Sequence, residues 1–146
     1  IIGENTFVGP YGRIRQGTTI GSHAQVGNFV EIKNSFIHDN VRINHLSFIG
    51  DANLHDNVTI GAGVVTCNHD GIKINKTTIE KNAYVGSGCN LVAPIKVGES
   101  ATIAAGSTLN KDAPRGKLTI ARVRQISKDH LKKTFKKSKN FPIEKS

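Results

Sequence analysis

The sequence has no Met, no Trp, two Cys and four Pro, and its aromatics are limited to six Phe and two Tyr. With so few large rings, a core must be assembled from Ile, Val, Leu and Ala, and is expected to be thin and aliphatic. Two cysteines, Cys67 and Cys89, fall short of the framework of a disulfide-stapled scaffold and are read as small unpaired residues. No apolar run approaches the ~18 residues of a membrane span, and the start lacks the basic and apolar regions of a secretory signal. A soluble, intracellular protein is expected. The chain opens on Ile1 in the middle of a pattern, which reads as a piece of a longer protein.

A length of 146 residues suits one domain. The net charge of +9 is unevenly spread: positions 1–110 hold 8 Lys/Arg against 8 Asp/Glu, and positions 111–146 hold 12 against 3. A basic tail suits nucleic acid, an anionic surface or an anionic cofactor, or it simply stays solvated. Neither a nucleic-acid nor a membrane partner is expected.

What the sequence does have is a repeat. An aliphatic residue recurs every six positions at Ile2, Val8, Ile14, Ile20, Val26 and Ile32. The phase slips by one to Ile37, Ile43 and Ile49, slips again to Leu54, Ile60 and Thr66, and resumes at Ile79, Val85, Leu91, Val97, Ile103 and Leu109. A helix of 3.6 residues per turn would scatter these side chains around its axis, whereas short flat strands would point them all inward. Each hexad then makes one side of a triangular coil, three hexads close the coil, and about six coils stack as a parallel β-helix, an all-β solenoid. Gly often follows the aliphatic residue, as at Gly3, Gly9, Gly21, Gly27, Gly50, Gly61, Gly86 and Gly98, and is expected to turn corners at positive φ. Small or β-branched residues recur four places on, at Thr6, Thr18, Ala24, Val30, Val58, Ala83 and Ala101.

The largest break separates Thr66 from Ile79, so a loop over 67–77 leaves the prism. The repeat is expected to end at Ala113-Pro114, dividing the chain into a β-helix domain at 1–114 and a basic tail at 115–146. Ser127 to Lys137 reads as a short basic helix with Ser127 as its N-cap.

Particular segments say more than the period. They are Gly27-Asn28-Phe29-Val30-Glu31-Ile32-Lys33, His45-Leu46-Ser47-Phe48-Ile49-Gly50-Asp51-Ala52, Gly61-Ala62-Gly63, Thr66-Cys67-Asn68-His69-Asp70-Gly71, Leu91-Val92-Ala93-Pro94, Ala104-Ala105-Gly106 and Ile120-Ala121-Arg122. In this order and spacing, over residues 1 to about 126, the chain resembles the C-terminal acetyltransferase domain of the bifunctional bacterial GlmU enzymes. Those enzymes fall in the left-handed β-helix acyltransferase superfamily. The resemblance implies a left-handed coil, a cytoplasmic homotrimer with clefts between subunits, and acetyl transfer from acetyl-CoA to the amine of glucosamine 1-phosphate on the way to UDP-N-acetylglucosamine. It implies His45 as general base, Arg15 and Lys33 on the sugar phosphate, and Phe48 and Thr59 near the sugar. Acetyl-CoA is then held by Ala62, Asn68, His69, Ser87, Ala105 and Arg122, with the basic tail facing its pantetheine and phosphates.

The resemblance has departures. The family carries Tyr where Phe48 stands, Asn at Thr59, Tyr at His69 and Lys near Ile74, for which Lys73 or Lys76 could substitute. The matched residues belong to the acetyltransferase part alone, so uridylyl transfer is not expected of them. An acyltransferase for another amino sugar and a non-catalytic trimerisation module are the competing readings.

The residues themselves suit this chemistry. An imidazole titrates near neutral pH and can take a proton from an amine as it attacks a thioester. Arg15 and Lys33 lie eighteen positions apart, one coil, and so stack two cations where a phosphate dianion fits. Arg13 is the local alternative to Arg15, and solvated corner cations are the plainer one. Glu31 is a candidate to orient His45. The remaining histidines, His23, His38, His55, His69 and His130, lack the spacing of a three-histidine zinc site, and no metal is expected.

Overall fold

The computed structural model describes residues 1–129, and every regular element in them is a strand. The chain winds through three sheets, visiting each once per coil. The first coil holds β1 (Phe7–Val8), β2 (Arg13–Ile14) and β3 (Thr19–Ile20). The second holds β4 (Gln25–Asn28), β5 (Glu31–Lys33) and β6 (Phe36–Ile37). The third holds β7 (Arg42–His45), β8 (Phe48–Gly50) and β9 (Ala52–Leu54). The fourth holds β10 (Thr59–Ile60), β11 (Val65–Cys67) and β12 (Thr77–Ile79), and the fifth β13 (Tyr84–Val85), β14 (Asn90–Val92) and β15 (Ile95–Val97). The sixth has β16 (Thr102–Ile103) and β17 (Thr108–Leu109), and β18 (Leu118–Thr119) returns to the first sheet beyond Pro114.

Every strand pairing is parallel, and each joins a residue to its counterpart one coil away. The first sheet is ordered β1-β4-β7-β10-β13-β16-β18, the second β2-β5-β8-β11-β14-β17 and the third β3-β6-β9-β12-β15. The repeat therefore becomes a β-solenoid of about six coils. Its inward row is buried from Ile20 to Leu109, while Ile2, Val8 and Ile14 of the first coil are not, because an end coil has a neighbour on one side only. The second row, four residues on, is also inward: Thr18, Ala24, Val30, Val58, Ala83 and Ala101 are all buried. Thr66, the one polar member of the first row, is tied into the ladder, its hydroxyl accepting from Gly50 N at 2.8 Å and donating to Gly50 O at 3.1 Å. Both cysteines are free thiols, and Cys89 donates to Ala104 O.

The corners differ from expectation. Gly3, Gly27, Gly61, Gly86 and Gly98 do not take positive φ; at each of them a Cβ would lie within 2.6 Å of backbone in the next coil. These glycines permit close stacking of coils, and the turning falls to other residues. The corner between the third and first sheets turns at Asn5, His23, Asn40, Asn57, Asn82, Ser100 and Gly116. That between the first and second turns at Tyr11, Phe29, Leu46, Gly63, Gly88 and Gly106, and that between the second and third at Gly17, Asn34 and Asp51. Both phase slips of the sequence fall on this last corner, where Asn34 and Asp51 complete a bend one residue shorter than that around Gly17. The protruding loop leaves from the same corner, between Cys67 and Thr77.

Ser127 to Asp129 take no regular structure, and the rest of the expected helix, to Lys137, lies outside the described residues, as does His130. No helix among the described residues is long and apolar enough to cross a membrane.

Candidate active site

The residues singled out in the sequence gather along the outer face of the second sheet and its two edges. Strand alternation sends Ile14, Ile32, Ile49 and Thr66 inward and their neighbours outward. Arg15 and Lys33 follow Ile14 and Ile32, which pair across β2 and β5, so the two cations do sit one above the other. They line an open recess of about 400 Å³ with Gln16, Gly17, Asn34, Asp51 and Ile74. Arg15 is not free in it: Nη1 donates to Glu31 Oε1 at 2.8 Å, and Arg13 stands 3.9 Å from the other carboxylate oxygen. Glu31 thus pairs with arginines on β2 and makes no hydrogen bond with His45 among the described residues, so the orienting role expected of it is not borne by this geometry.

Phe48 stands on β8 between the two edges. A Cβ on Gly50 would lie 2.7 Å from both the Phe48 ring and the Asn68 amide nitrogen, so ring and amide converge over that glycine. Asn68 Nδ2 in turn donates to Asp51 Oδ2 at 2.6 Å, and Asn34 Nδ2 to Asp51 Oδ1 at 2.6 Å.

The loop beyond Asn68 is a tight hairpin. His69 and Ile74 form an antiparallel bridge, and Asn75 N donates to Asn68 O at 2.7 Å. Asp70 clamps the tip: its carboxylate accepts from Ile72 N, Lys73 N and Asn75 Nδ2 at 2.8 to 2.9 Å. The two backbone donors, then the Asn75 amide, favour the charged form and hold its pKa down to about 2. Partial burial at the loop's root pushes the Cys67 thiol up.

The opposite edge, between the first and second sheets, carries His45. Asn28 pairs with His45, and the β7–β10, β10–β13 and β13–β16 registers continue that column through Ala62, Ser87 and Ala105. The Arg122 guanidinium closes the column by donating to Ala105 O. The His45 side chain is exposed, and the Ser47 hydroxyl fixes the bend below it by donating to His45 O at 2.9 Å. Beside the lower part of the column runs an apolar ledge, Tyr11, Phe29 and Leu46, exposed by 75%, 59% and 63%. The rings of Tyr11 and Phe29 stack at 5.3 Å. Thr59 is the outlier, lying on the first sheet between Arg42 and Tyr84 and away from Phe48.

Within one chain, then, Arg15, Lys33, Phe48, Asn68 and the loop form one group, and His45, Ala62, Ser87, Ala105 and Arg122 another. Asn34, Asp51 and Asp70 were missed in the sequence. Their signal was there: Asn34 and Asp51 stand at the phase slips, and Asp70-Gly71 is a turn dipeptide.

The comparisons agree with this architecture. The family model described as "Bacterial transferase hexapeptide (six repeats)" matches residues 1–34 and 76–111. This is a hexapeptide-repeat domain. It is 50% identical over 137 residues, 94% of its length, to a protein of Bordetella parapertussis called "Bifunctional protein GlmU", and 48% identical over 137 residues to one so called from Ruthia magnifica. The domain spans only 30% of the length of these relatives. Among solved structures, it superposes on an N-acyltransferase, AntD of Bacillus cereus, with a TM-score of 0.77 at 14% identity, covering 90% of this chain and 84% of that one. The acetyltransferase domain of PglB from Neisseria gonorrhoeae, in complex with acetyl coenzyme A, gives 0.72 at 21% identity, covering 80% and 54%. These likenesses establish the fold, the left-handed β-helix of hexapeptide-repeat proteins.

Proposed function

We propose that this domain transfers the acetyl group of acetyl-CoA to the amine of glucosamine 1-phosphate, giving N-acetylglucosamine 1-phosphate and CoA, as a homotrimer in the bacterial cytoplasm. The observation that carries the reading is the pairing of a stacked Arg15–Lys33 recess with an exposed His45 on the other edge of the same face. The GlmU-named relatives, matched over 94% of the chain, and the acetyltransferase neighbours support acetyl transfer to an amino sugar.

In this reaction the amine nitrogen attacks the thioester carbonyl carbon, and the C–S bond breaks as the C–N bond forms. His45 takes the amine proton and returns it to the departing thiolate. Arg15 and Lys33 hold the phosphate of the acceptor, Arg15 exchanging its Glu31 partner for a phosphate oxygen. Alignment of amine and thioester contributes the rest, since two held reactants need no further encounter. Acetyl-CoA runs along the Ala62–Ser87–Ala105 column to Arg122, with Asn68 and His69 meeting it from a second copy. The two groups stand on separate edges of a solid prism, and the edge of another copy laid over the second sheet would close a cleft between them. The exposed ledge of Tyr11, Phe29 and Leu46 gives such a copy an apolar contact.

A second reading, another amino sugar as acceptor, is favoured by Ile74. Its apolar side chain lines the recess where the family pattern has a cation, and Phe48 offers no hydroxyl.

The test is acetyl-CoA-dependent thiol release with glucosamine 1-phosphate, run beside glucosamine, other amino sugars and His45→Ala. Release with glucosamine 1-phosphate that His45→Ala abolishes is the expected result. Release with a different amino sugar alone would move the assignment to the second reading, and none from a folded trimer would leave a non-catalytic module.

A further inference from the structure

Asp51 is the one carboxylate among the buried described residues, 5% exposed, and the chemistry above does not use it. It stands at a positive-φ corner, where other corners of this solenoid use Asn, as at Asn40, Asn57 and Asn82. A neutral amide would therefore satisfy the bend, and burying a carboxylate instead is costly unless its oxygens are well paired. Both are: Oδ1 accepts from Asn34 Nδ2 and Oδ2 from Asn68 Nδ2, each at 2.6 Å. The consequence is directional. A carboxylate only accepts, so both amides must turn their NH2 groups toward it. For Asn68 this leaves Oδ1 pointing away from Asp51, and among the described residues no protein donor takes it. The amide is packed against Gly50, where a Cβ would lie 2.7 Å from Nδ2.

We infer that Asp51 is a positioning residue for the acyl donor: by fixing the Asn68 amide, it presents Asn68 Oδ1 as an acceptor for an amide N–H of the pantetheine arm of CoA. Through Asn34, which follows Lys33, it also ties that orientation to the recess that receives the acceptor. The inference rests on the reading that Asn68 meets CoA.

The experiment is titration of CoA into the 146-residue chain by calorimetry, comparing wild type, Asp51→Asn, Asn68→Asp and the double variant, with thermal melts and oligomeric state as controls. Asp51→Asn keeps size and corner geometry but leaves one acceptor oxygen for the two amides of Asn34 and Asn68, so the Asn68 amide loses its fixed orientation and is free to face the ligand with a donor. CoA should bind about tenfold more weakly, one hydrogen bond's worth, with the melt little changed. In the Asp51→Asn, Asn68→Asp pair the polarity is exchanged: residue 51 donates, and residue 68 again shows an acceptor outward, so affinity should recover. A role in stability alone would lower the melt and give no recovery on exchange. Wild-type affinity in Asp51→Asn, or loss without recovery in the pair, would overturn the inference. If the wild type binds CoA but does not acetylate glucosamine 1-phosphate, the acceptor assignment fails while the titrations still judge Asp51. If it does not bind CoA at all, both readings fall.

Discussion

Replacement of Gly27 by Ala tests whether the glycines after the aliphatic positions exist for close stacking. An alanine Cβ there would lie 1.7 Å from Asn44 O, 2.5 Å from Asn44 C and 2.9 Å from Asn44 Cα, all backbone of the next coil. No rotamer relieves such a clash. The coils would have to part by roughly 1.5 Å against a strand spacing of about 4.8 Å, which stretches the bond from Leu46 N to Asn28 O, now 3.0 Å. Overpacking strain of about 1–3 kcal/mol, with a weakened hydrogen bond at ~1 kcal/mol, puts the loss near 3 kcal/mol. Gly116→Ala is the control: nothing lies within 4 Å of its Cβ, but φ is +63°, so it bears only the left-handed penalty of about 1–2 kcal/mol. Urea denaturation followed by far-ultraviolet circular dichroism measures both. Gly27→Ala should be clearly the more damaging, and an equal or smaller loss than Gly116→Ala would refute the stacking argument. Asn44 directly precedes His45, so the same variant should also depress acetyl transfer beyond what its unfolded fraction explains.

Two further predictions concern the loop and its root. The Asp70 clamp requires the carboxylate, whose pKa is depressed to about 2 from an ordinary value near 4. The ordering it gives is complete above the ordinary value and is lost as pH falls through about 2. Amide resonances of Ile72 and Lys73 should therefore keep their folded shifts at pH 4 and lose them only toward pH 2, whereas Asp70→Ala should show the loosened shifts at neutral pH; a transition centred near pH 4 in the wild type would contradict the clamp. Cys89 is buried out of reach of reagent, and the Cys67 thiol is pushed up by burial, so Cys67 carries little reactive thiolate. Alkylation by iodoacetamide at pH 8 should be slow for both in the native protein and fast in denaturant, with Cys67 the first to react; rapid native labelling of Cys89 would show that the core around β14 is open.

The six-residue period was enough to read the core, because inward burial repeats wherever strand length repeats. Ile43, Ile49, Leu54 and Val85 occupy the positions the pattern assigns them, and even Thr66 does, since its hydroxyl bonds the ladder instead of leaving it. The corners were not legible in the same way. Composition suggests that glycine turns corners, yet Gly27 and Gly61 serve close approach while Asn40 and Asn57 take the positive φ, because an Asn side chain makes that conformation tolerable and a Cβ between coils has no remedy. The stacking of Arg15 on Lys33 followed from the period alone. The pairing of Glu31 with Arg15 did not, since it depends on which way two long side chains lean across one face.

The edge that bears His45 changes character along its length, and the change suits the proposed chemistry. Asn at positive φ can offset part of the strain through its own side chain, but Tyr11, Phe29 and Leu46 have no such compensation and cost about 1 kcal/mol or more each. Nothing in the folding of the coils asks for bulk there, because Gly63, Gly88 and Gly106 turn the same corner in the next three coils without strain. The lower half of the edge thus tolerates strain to display apolar side chains, as a contact surface requires, while the upper half is stripped to glycine beside Ala62, Ser87 and Ala105. A bare backbone lets a long, thin ligand lie close against peptide N–H and C=O groups, where any side chain would hold it off. His45 stands where the two halves meet, one residue before Leu46, the last glycine-free bend of this edge, so a reactant lying along the upper groove would end at the imidazole. Substituting a bulky residue at Gly63 or Gly88 would then obstruct CoA while leaving the apolar ledge intact, and truncating Phe29 would weaken association of copies while leaving the groove open.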